Sequence, residues 1–241
     1  GVGLAGHGRH RVVTERTKLA MPEVGLGFFP DVGGTWLLSR SPGEIGTYFA
    51  LTGQTMNGPD AVYARFADAV VPSGQWAALR AALTEVRAGV TSGDVKTIID
   101  GFATGEAAGP VAAIRSQIDG WFAHDRVQDI LAALQRDGSE LAHATLKTLS
   151  EKSPRGMAVA LKLLRLARTS SSLEQCLVRE YRAALEVFRS DDFREGVRAA
   201  IIDKDRNPRW SPSRVEDVTS EIVAPYFAEI GADEIVFGKP K

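Results

Sequence analysis

The sequence predicts an α/β fold: a glycine-rich front of short strands, turns and short helices over residues 1–90, followed by a helical region over residues 91–241. Three observations point there. Short runs rich in β-branched or apolar residues at 11–14, 18–21 and 69–71 read as strands. From residue 92 onward apolar residues recur at helical spacing almost throughout. With 241 residues and 44% hydrophobic content, the chain is long enough to bury a sizeable core.

Taken in order, Gly1-x-Gly3-x-x-Gly6 matches the dinucleotide-binding fingerprint letter for letter. That motif needs a strand before it and a helix after it, whereas β-like residues follow here within a few positions. These glycines are therefore read as points of close backbone approach, to a neighbouring element or to a bound group that needs N–H donors. The loop 22–34 holds two prolines and four glycines, too many for a regular element. Short helices are expected at 35–40, 44–51 and 59–66, and a longer one at 75–86. The best-marked helix starts at Ser153-Pro154, an N-cap residue followed by proline at the first helical position. Met157, Ala160, Leu161, Leu164 and Ala167 give it one buried stripe, with Arg155, Lys162 and Arg165 opposite. A second amphipathic helix over 172–189 turns Leu173, Cys176, Leu177, Ala184, Leu185 and Phe188 inward. A charged helix near 192–204 follows, and Pro208 and Pro212 end it.

Composition excludes several functional classes. The 29 basic and 30 acidic residues leave a formal net charge of −1, so no global field draws the protein to nucleic acid or to an anionic membrane. No apolar run approaches the roughly 20 residues of a membrane span. Cys176 is the single cysteine, which excludes an intramolecular disulfide framework and suits a reducing compartment; it reads as a buried thiol. His7 and His10 lack the further ligands a metal site needs, so packed or surface histidines are expected and no metal.

The chemistry-bearing stretch is Met21-Pro22-Glu23-Val24-Gly25-Leu26-Gly27-Phe28-Phe29-Pro30-Asp31-Val32-Gly33-Gly34. Glu23 and Asp31 stand eight positions apart in an apolar loop, where desolvation raises a carboxyl pKa and equips it for proton transfer near neutrality. A plainer reading makes Asp31 the cap of the helix that follows and Glu23 a solvated strand end.

This stretch resembles the crotonase (enoyl-CoA hydratase/isomerase) superfamily. Laid on the hydratase pattern, Gly1 takes the third place of a glycine triplet, Gly3 stands where the first catalytic glutamate would be, and Glu23 takes the second. Asp31 stands where hydratases usually have glycine. A Glu and an Asp at this separation resemble two branches, the dienoyl-CoA isomerases and the 3-hydroxyisobutyryl-CoA hydrolases. Met-Pro-Glu followed by Phe-Pro-Asp-Val-Gly-Gly is similar to the hydrolases, as are Glu180-Tyr181-Arg182, the run from Asp192 to Ala199, Ile202-Asp203-Lys204-Asp205 and Pro208-Arg209-Trp210.

The resemblance implies a partial crotonase-like ββα spiral with a helical C-terminal region. The activity it implies is hydrolysis of a short branched 3-hydroxyacyl-CoA thioester. Glu23 and Asp31 would be catalytic, Gly1 would lie at the substrate, and no cofactor beyond the CoA of the substrate is needed. Lys204, Arg206 and Arg209 are candidates to meet CoA phosphates, or else are a solvated helix end. The family has roughly one hundred residues before the glycine motif, so an N-terminal segment is an expected partner. A homo-oligomer and a cytoplasmic location, or the mitochondrial matrix in a eukaryote, complete the expectation. A hydratase or dienoyl-CoA isomerase of the same fold, or a non-catalytic helical binding module, stand as alternatives.

Overall fold

The computed structural model describes residues 1–86, 89–105 and 109–238. Its front carries α1 (Val2–Ala5), β1 (Val12–Val13), a 3-10 turn (Glu23–Leu26), α2 (Gly34–Leu38), α3 (Ile45–Thr52), α4 (Gly58–Tyr63), β2 (Ala69–Val70) and α5 (Trp76–Thr84). The remainder comprises α6 (Ser92–Asp100), α7 (Pro110–Ala113), α8 (Arg115–Phe122), α9 (Val127–Asp137), α10 (Glu140–Ser150), α11 (Pro154–Arg168), α12 (Leu173–Arg189), α13 (Asp191–Val197), a π turn (Arg198–Ile202) and α14 (Ser220–Val223).

Two of the expected strands form, each two residues long. They pair in parallel, Val12 opposite Ala69 and Val13 opposite Val70. The third contributes a single antiparallel bridge, Leu19 to Met56. The front is thus more helical than its glycines and β-branched residues suggest, because runs this short cannot extend a ladder. The segment after Gly1 corrects the sequence reading. Residues 2–5 close a helical turn, with the amides of Leu4 and Ala5 donating to the Gly1 carbonyl at 3.2 and 2.9 Å. Gly3 and Gly6 let this turn lie against the front, since a Cβ on either would fall 2.2 Å from Val32 or 2.6 Å from Leu37.

One main core joins Phe29, Leu38, Ile45, Leu51 and Met56 of the front to Ile118, Phe122, Ile130, Leu134, Leu149 and Met157 of the helices. Ala69, Val71, Leu79 and Ile99 form a smaller cluster. Helix α3 is buried on all sides, as its apolar sequence from Ile45 to Leu51 allows. Helix α11 starts as expected, with Gly156 N–H donating to Ser153 Oγ at 2.9 Å and Pro154 in the first turn. Its predicted stripe is buried, and Val159 and Leu163 are buried as well. Lys162 is exposed, but Arg165 turns inward and bonds Glu44 at 3.0 Å and Asp125 at 2.9 Å.

Helix α12 is rotated from the expected face. Its buried line is Cys176, Glu180, Ala183 and Val187, while Phe188 is 60% exposed. Apolar residues alone cannot locate this face, because the group nearest its centre is a carboxylate. The expected buried thiol is found at Cys176.

Candidate active site

Glu23 opens the 3-10 turn that replaces the expected irregular loop. Gly27 ends it with φ 71°, a left-handed conformation suited to glycine, and donates its N–H to the Glu23 carbonyl. Much of the chain closes on these four residues. The Ser153 amide donates to the Val24 carbonyl at 3.1 Å. From the tail, Gly196 presses so closely that a Cβ there would lie 2.4 Å from the Leu26 carbonyl oxygen, and one on Gly27 would lie 2.5 Å from that of Asp192. Buried Asp192 accepts from Ser153 Oγ at 2.6 Å and from the Ser211 amide at 2.9 Å, tying the tail to the start of α11. Phe28 stacks on Phe29 with centroids 4.6 Å apart and tilts against Phe193 at 5.4 Å. The turn is therefore set by packing on both sides rather than by its own four residues.

Within this frame Glu23 is poorly hydrated. Its Oε2 is buried and has no hydrogen-bond partner. Burial pushes the carboxyl up to about 7, and the charge of Asp31 pushes in the same direction. Asp31 is itself half-buried, and burial raises its pKa too.

The capping alternative for Asp31 is resolved by the start of α2. The N-cap is Gly33, which forms no side-chain cap bond. The buried amides at the start of the helix are taken instead by Glu180 of α12, which accepts from Gly33 N–H at 2.7 Å, from Thr35 N–H at 3.1 Å and from the Thr35 hydroxyl. Burial raises Glu180 to about 7, again with Asp31 adding to the rise. Sequence reasoning missed this residue as a site group. The available signal was an acid at helical spacing between Cys176 and Ala183, on a face that proves to be buried.

Between Asp31 and Gly33 the chain is strained. Val32, a β-branched residue, takes φ 49°. Its carbonyl meets His7 Nε2 at 2.9 Å. His10 goes elsewhere, to Ser92 Oγ at 2.9 Å. Among the described residues no group of three or more His, Cys, Asp or Glu is placed to hold a metal ion. Gly1 is exposed at the head of α1, whose Gly3 rests on Val32, so the first residues of the chain reach the turn that carries Asp31. A groove of about 680 Å³ lies between α9, α11 and the tail, lined by Val127, Leu161, Lys162, Val215 and Val223. Neither Glu23 nor Asp31 lines it.

A desolvated glutamate under the charge of a half-buried aspartate, on a largely helical chain with a short parallel strand pair, makes a candidate acid–base site. The chain belongs to the enoyl-CoA hydratase/isomerase family, whose sequence profile matches residues 1–227. It is 38% identical over 243 residues to probable 3-hydroxyisobutyryl-CoA hydrolase 2 of Arabidopsis thaliana, covering 97% of this chain and 64% of that protein. It is 34% identical over 242 residues to the mitochondrial 3-hydroxyisobutyryl-CoA hydrolase of Homo sapiens, covering 98% and 62%. Among solved structures, the carnitinyl-CoA dehydratase of Mycobacterium thermoresistibile superposes with TM-score 0.87 at 39% identity, covering 96% of this chain and 65% of that one. The chain thus spans somewhat under two thirds of the length of these relatives.

Proposed function

We propose that the protein hydrolyses the thioester of a short branched 3-hydroxyacyl-CoA, of the 3-hydroxyisobutyryl-CoA type, to the free acid and CoA. The observation that carries this reading is the Glu23 carboxyl, buried with one oxygen unpaired, raised to about 7 and facing the charge of Asp31. A carboxylate with that proton affinity is a stronger base than a solvated one and is still about half ionised at pH 7. Glu23 either takes a proton from water as the water oxygen bonds to the thioester carbonyl, or attacks that carbonyl itself to form a mixed anhydride, which water then hydrolyses to the free acid and regenerated Glu23. In both routes the carbon–sulfur bond breaks and the CoA thiolate leaves, to be protonated. Asp31 positions substrate or water and raises the proton affinity of Glu23. Backbone N–H groups of the residue before Gly1 and of the N-terminal segment hold the oxyanion, each such donor contributing on the order of 3–4 kcal/mol in acyl transfer.

The names of the relatives support this substrate class. Hydration is the second reading, favoured by the solved dehydratase and by an enoyl-CoA hydratase of Rhodobacter sphaeroides at 38% identity. Against it, the position that would carry a second glutamate is Gly3, where Val32 fills the space a side chain needs. Lys204, Arg206 and Arg209 are exposed and available to CoA phosphates in this reading. A homo-oligomer and a reducing compartment such as the cytoplasm or the mitochondrial matrix belong to the same proposal; among the described residues no helix is long and apolar enough to cross a membrane.

Incubation with 3-hydroxyisobutyryl-CoA in the presence of a thiol reagent tests it. Hydrolysis releases free CoA, whereas hydration and double-bond isomerisation do not. Label from ¹⁸O-water found in the Glu23 carboxylate after a single turnover identifies the anhydride route, because general-base catalysis places label only in the product acid.

A further inference from the structure

We infer that Glu180 is a positioning residue for the Glu23–Asp31 pair: it holds the Val32–Gly33 peptide from inside the core while His7 holds it from outside, and so fixes where Asp31 stands. The inference rests on the reading of Glu23 and Asp31 as the reacting groups. Both ends of one peptide unit are engaged. The Gly33 N–H donates to Glu180 at 2.7 Å, and the Val32 carbonyl faces His7 Nε2 at 2.9 Å. Glu180 also takes the Thr35 amide and hydroxyl, so a single buried carboxylate supplies the acceptors that the first turn of α2 lacks. The strained Val32 requires such fixing, because a β-branched residue keeps positive φ only where its surroundings impose it.

The fit is close on every side. A Cβ on Gly33 would lie 2.5 Å from the His7 ring and 2.8 Å from Leu173 of α12, so the ring and the helix meet over this peptide. An aliphatic residue at position 180 would leave two buried amides unpaired. Nearby cations are committed elsewhere. Arg40 stacks on Trp36, Arg179 bonds Ser170, and Arg182 pairs with Glu234 at 2.7 Å. Asp31 is the charged neighbour that acts on Glu180, and the same aspartate acts on Glu23. Asp31 therefore stands within electrostatic reach of both glutamates, and its distance from Glu23 depends on the peptide that Glu180 holds.

The test compares Glu180→Ala and Glu180→Gln in the full-length protein. In Glu180→Ala, kcat for thioester cleavage should fall by about tenfold or more with KM within about threefold, as expected for a displaced catalytic geometry rather than lost binding. The NMR titration of the Glu23 carboxyl should move to lower pH, because a displaced Asp31 no longer presses its charge on Glu23. Glu180→Gln retains one acceptor oxygen and should recover part of both effects. A residue that merely capped α2 would lower the melting temperature and leave kcat and the Glu23 titration unchanged in the folded variant, which overturns the inference. Should Glu180→Ala fail to fold, the same two readouts on Glu180→Gln decide it. If the wild-type protein releases no CoA from any acyl thioester, the hydrolase reading fails. The Glu23 titration then still decides the role of Glu180, a shift supporting it and no shift overturning it.

Discussion

Replacing Glu23 with glutamine should stabilise the protein while abolishing its chemistry. The native carboxyl titrates near 7 against 4.5 for a solvated glutamate, because it is desolvated. Between those values the native state binds the proton more strongly than the unfolded chain does, so stability is full below about pH 4.5 and declines as pH rises through 7. At pH 8.5 the accumulated cost of holding Glu23 ionised is about 3 kcal/mol, taking about 1.4 kcal/mol for each pH unit separating the two values. Glutamine has nearly the same shape and still buries an unpaired polar atom, so the substitution removes the charge cost and little else. Glu23→Gln should therefore gain up to about 3 kcal/mol at pH 8.5 and under about 1 kcal/mol at pH 5. For a chain of this size that corresponds to roughly 6–12 °C in melting temperature at the higher pH. Urea unfolding followed by circular dichroism at both pH values, alongside CoA release, measures stability and activity together. A variant no more stable than wild type at pH 8.5, or a gap that ignores pH, would refute the claim that Glu23 is held in a desolvated site.

Three further outcomes follow from the same geometry. Asp31→Asn should cost on the order of one hundredfold in turnover and move the rising limb of the pH–rate profile, set near 7 by Glu23, to lower pH. Its melting temperature should barely change, since Glu180 rather than Asp31 caps α2; a large drop in melting temperature would return Asp31 to a structural role. Gly196→Ala drives a methyl to 2.4 Å from the Leu26 carbonyl and should destabilise by about 1–3 kcal/mol while lowering kcat through the displaced Glu23 turn, so a variant with wild-type stability and turnover refutes the clamp. Glu44 is buried; desolvation pushes its carboxyl up, but bonds from Arg168 and Thr47 and the charge of Arg165 outweigh it and hold it below the usual carboxylate range. Glu44→Ala takes the carboxylate partner from Arg168 while Arg165 keeps Asp125, and should cost about 1–3 kcal/mol in denaturant unfolding, with kcat per folded molecule unchanged.

The desolvation of Glu23 and Asp31 was legible in the sequence, because carboxylates in a run of Gly, Pro and Phe lie where water is scarce. The start of α11 was legible for a local reason: Ser153 and Pro154 act within one turn. Glu180 showed only as part of a hydrolase-like signature; its contact with Gly33, 147 positions away, was not legible, because nothing within α12 marks its target. The inward face of α12 was misplaced for the same reason, since counting apolar residues favours Phe188 and passes over a carboxylate that finds its partners in the core. The Glu23 turn was missed because four residues closed by i→i+3 bonds carry no hydrophobic periodicity. The β-branched runs at 12–13 and 69–70 showed themselves, but their pairing and register arise only from the fold between them.

The clamp on the Glu23 turn also imposes an order of assembly. Asp192 and Gly196, which press on that turn, leave the ribosome about 170 residues after Glu23 itself, the elongation rate of roughly 5–20 residues per second making this a wait of some ten seconds or more. During that interval the front can collapse, but the turn that opens with Glu23 lacks the packing of Asp192 and Gly196 against Gly27 and Leu26. On the proposed function, a nascent or proteolytically shortened chain ending before α13 should therefore release no CoA from a thioester, which a CoA-release assay on such a truncation checks. In that reading competence would come late in synthesis, once Asp192 and Gly196 pack on the turn, although Glu23 itself is made early.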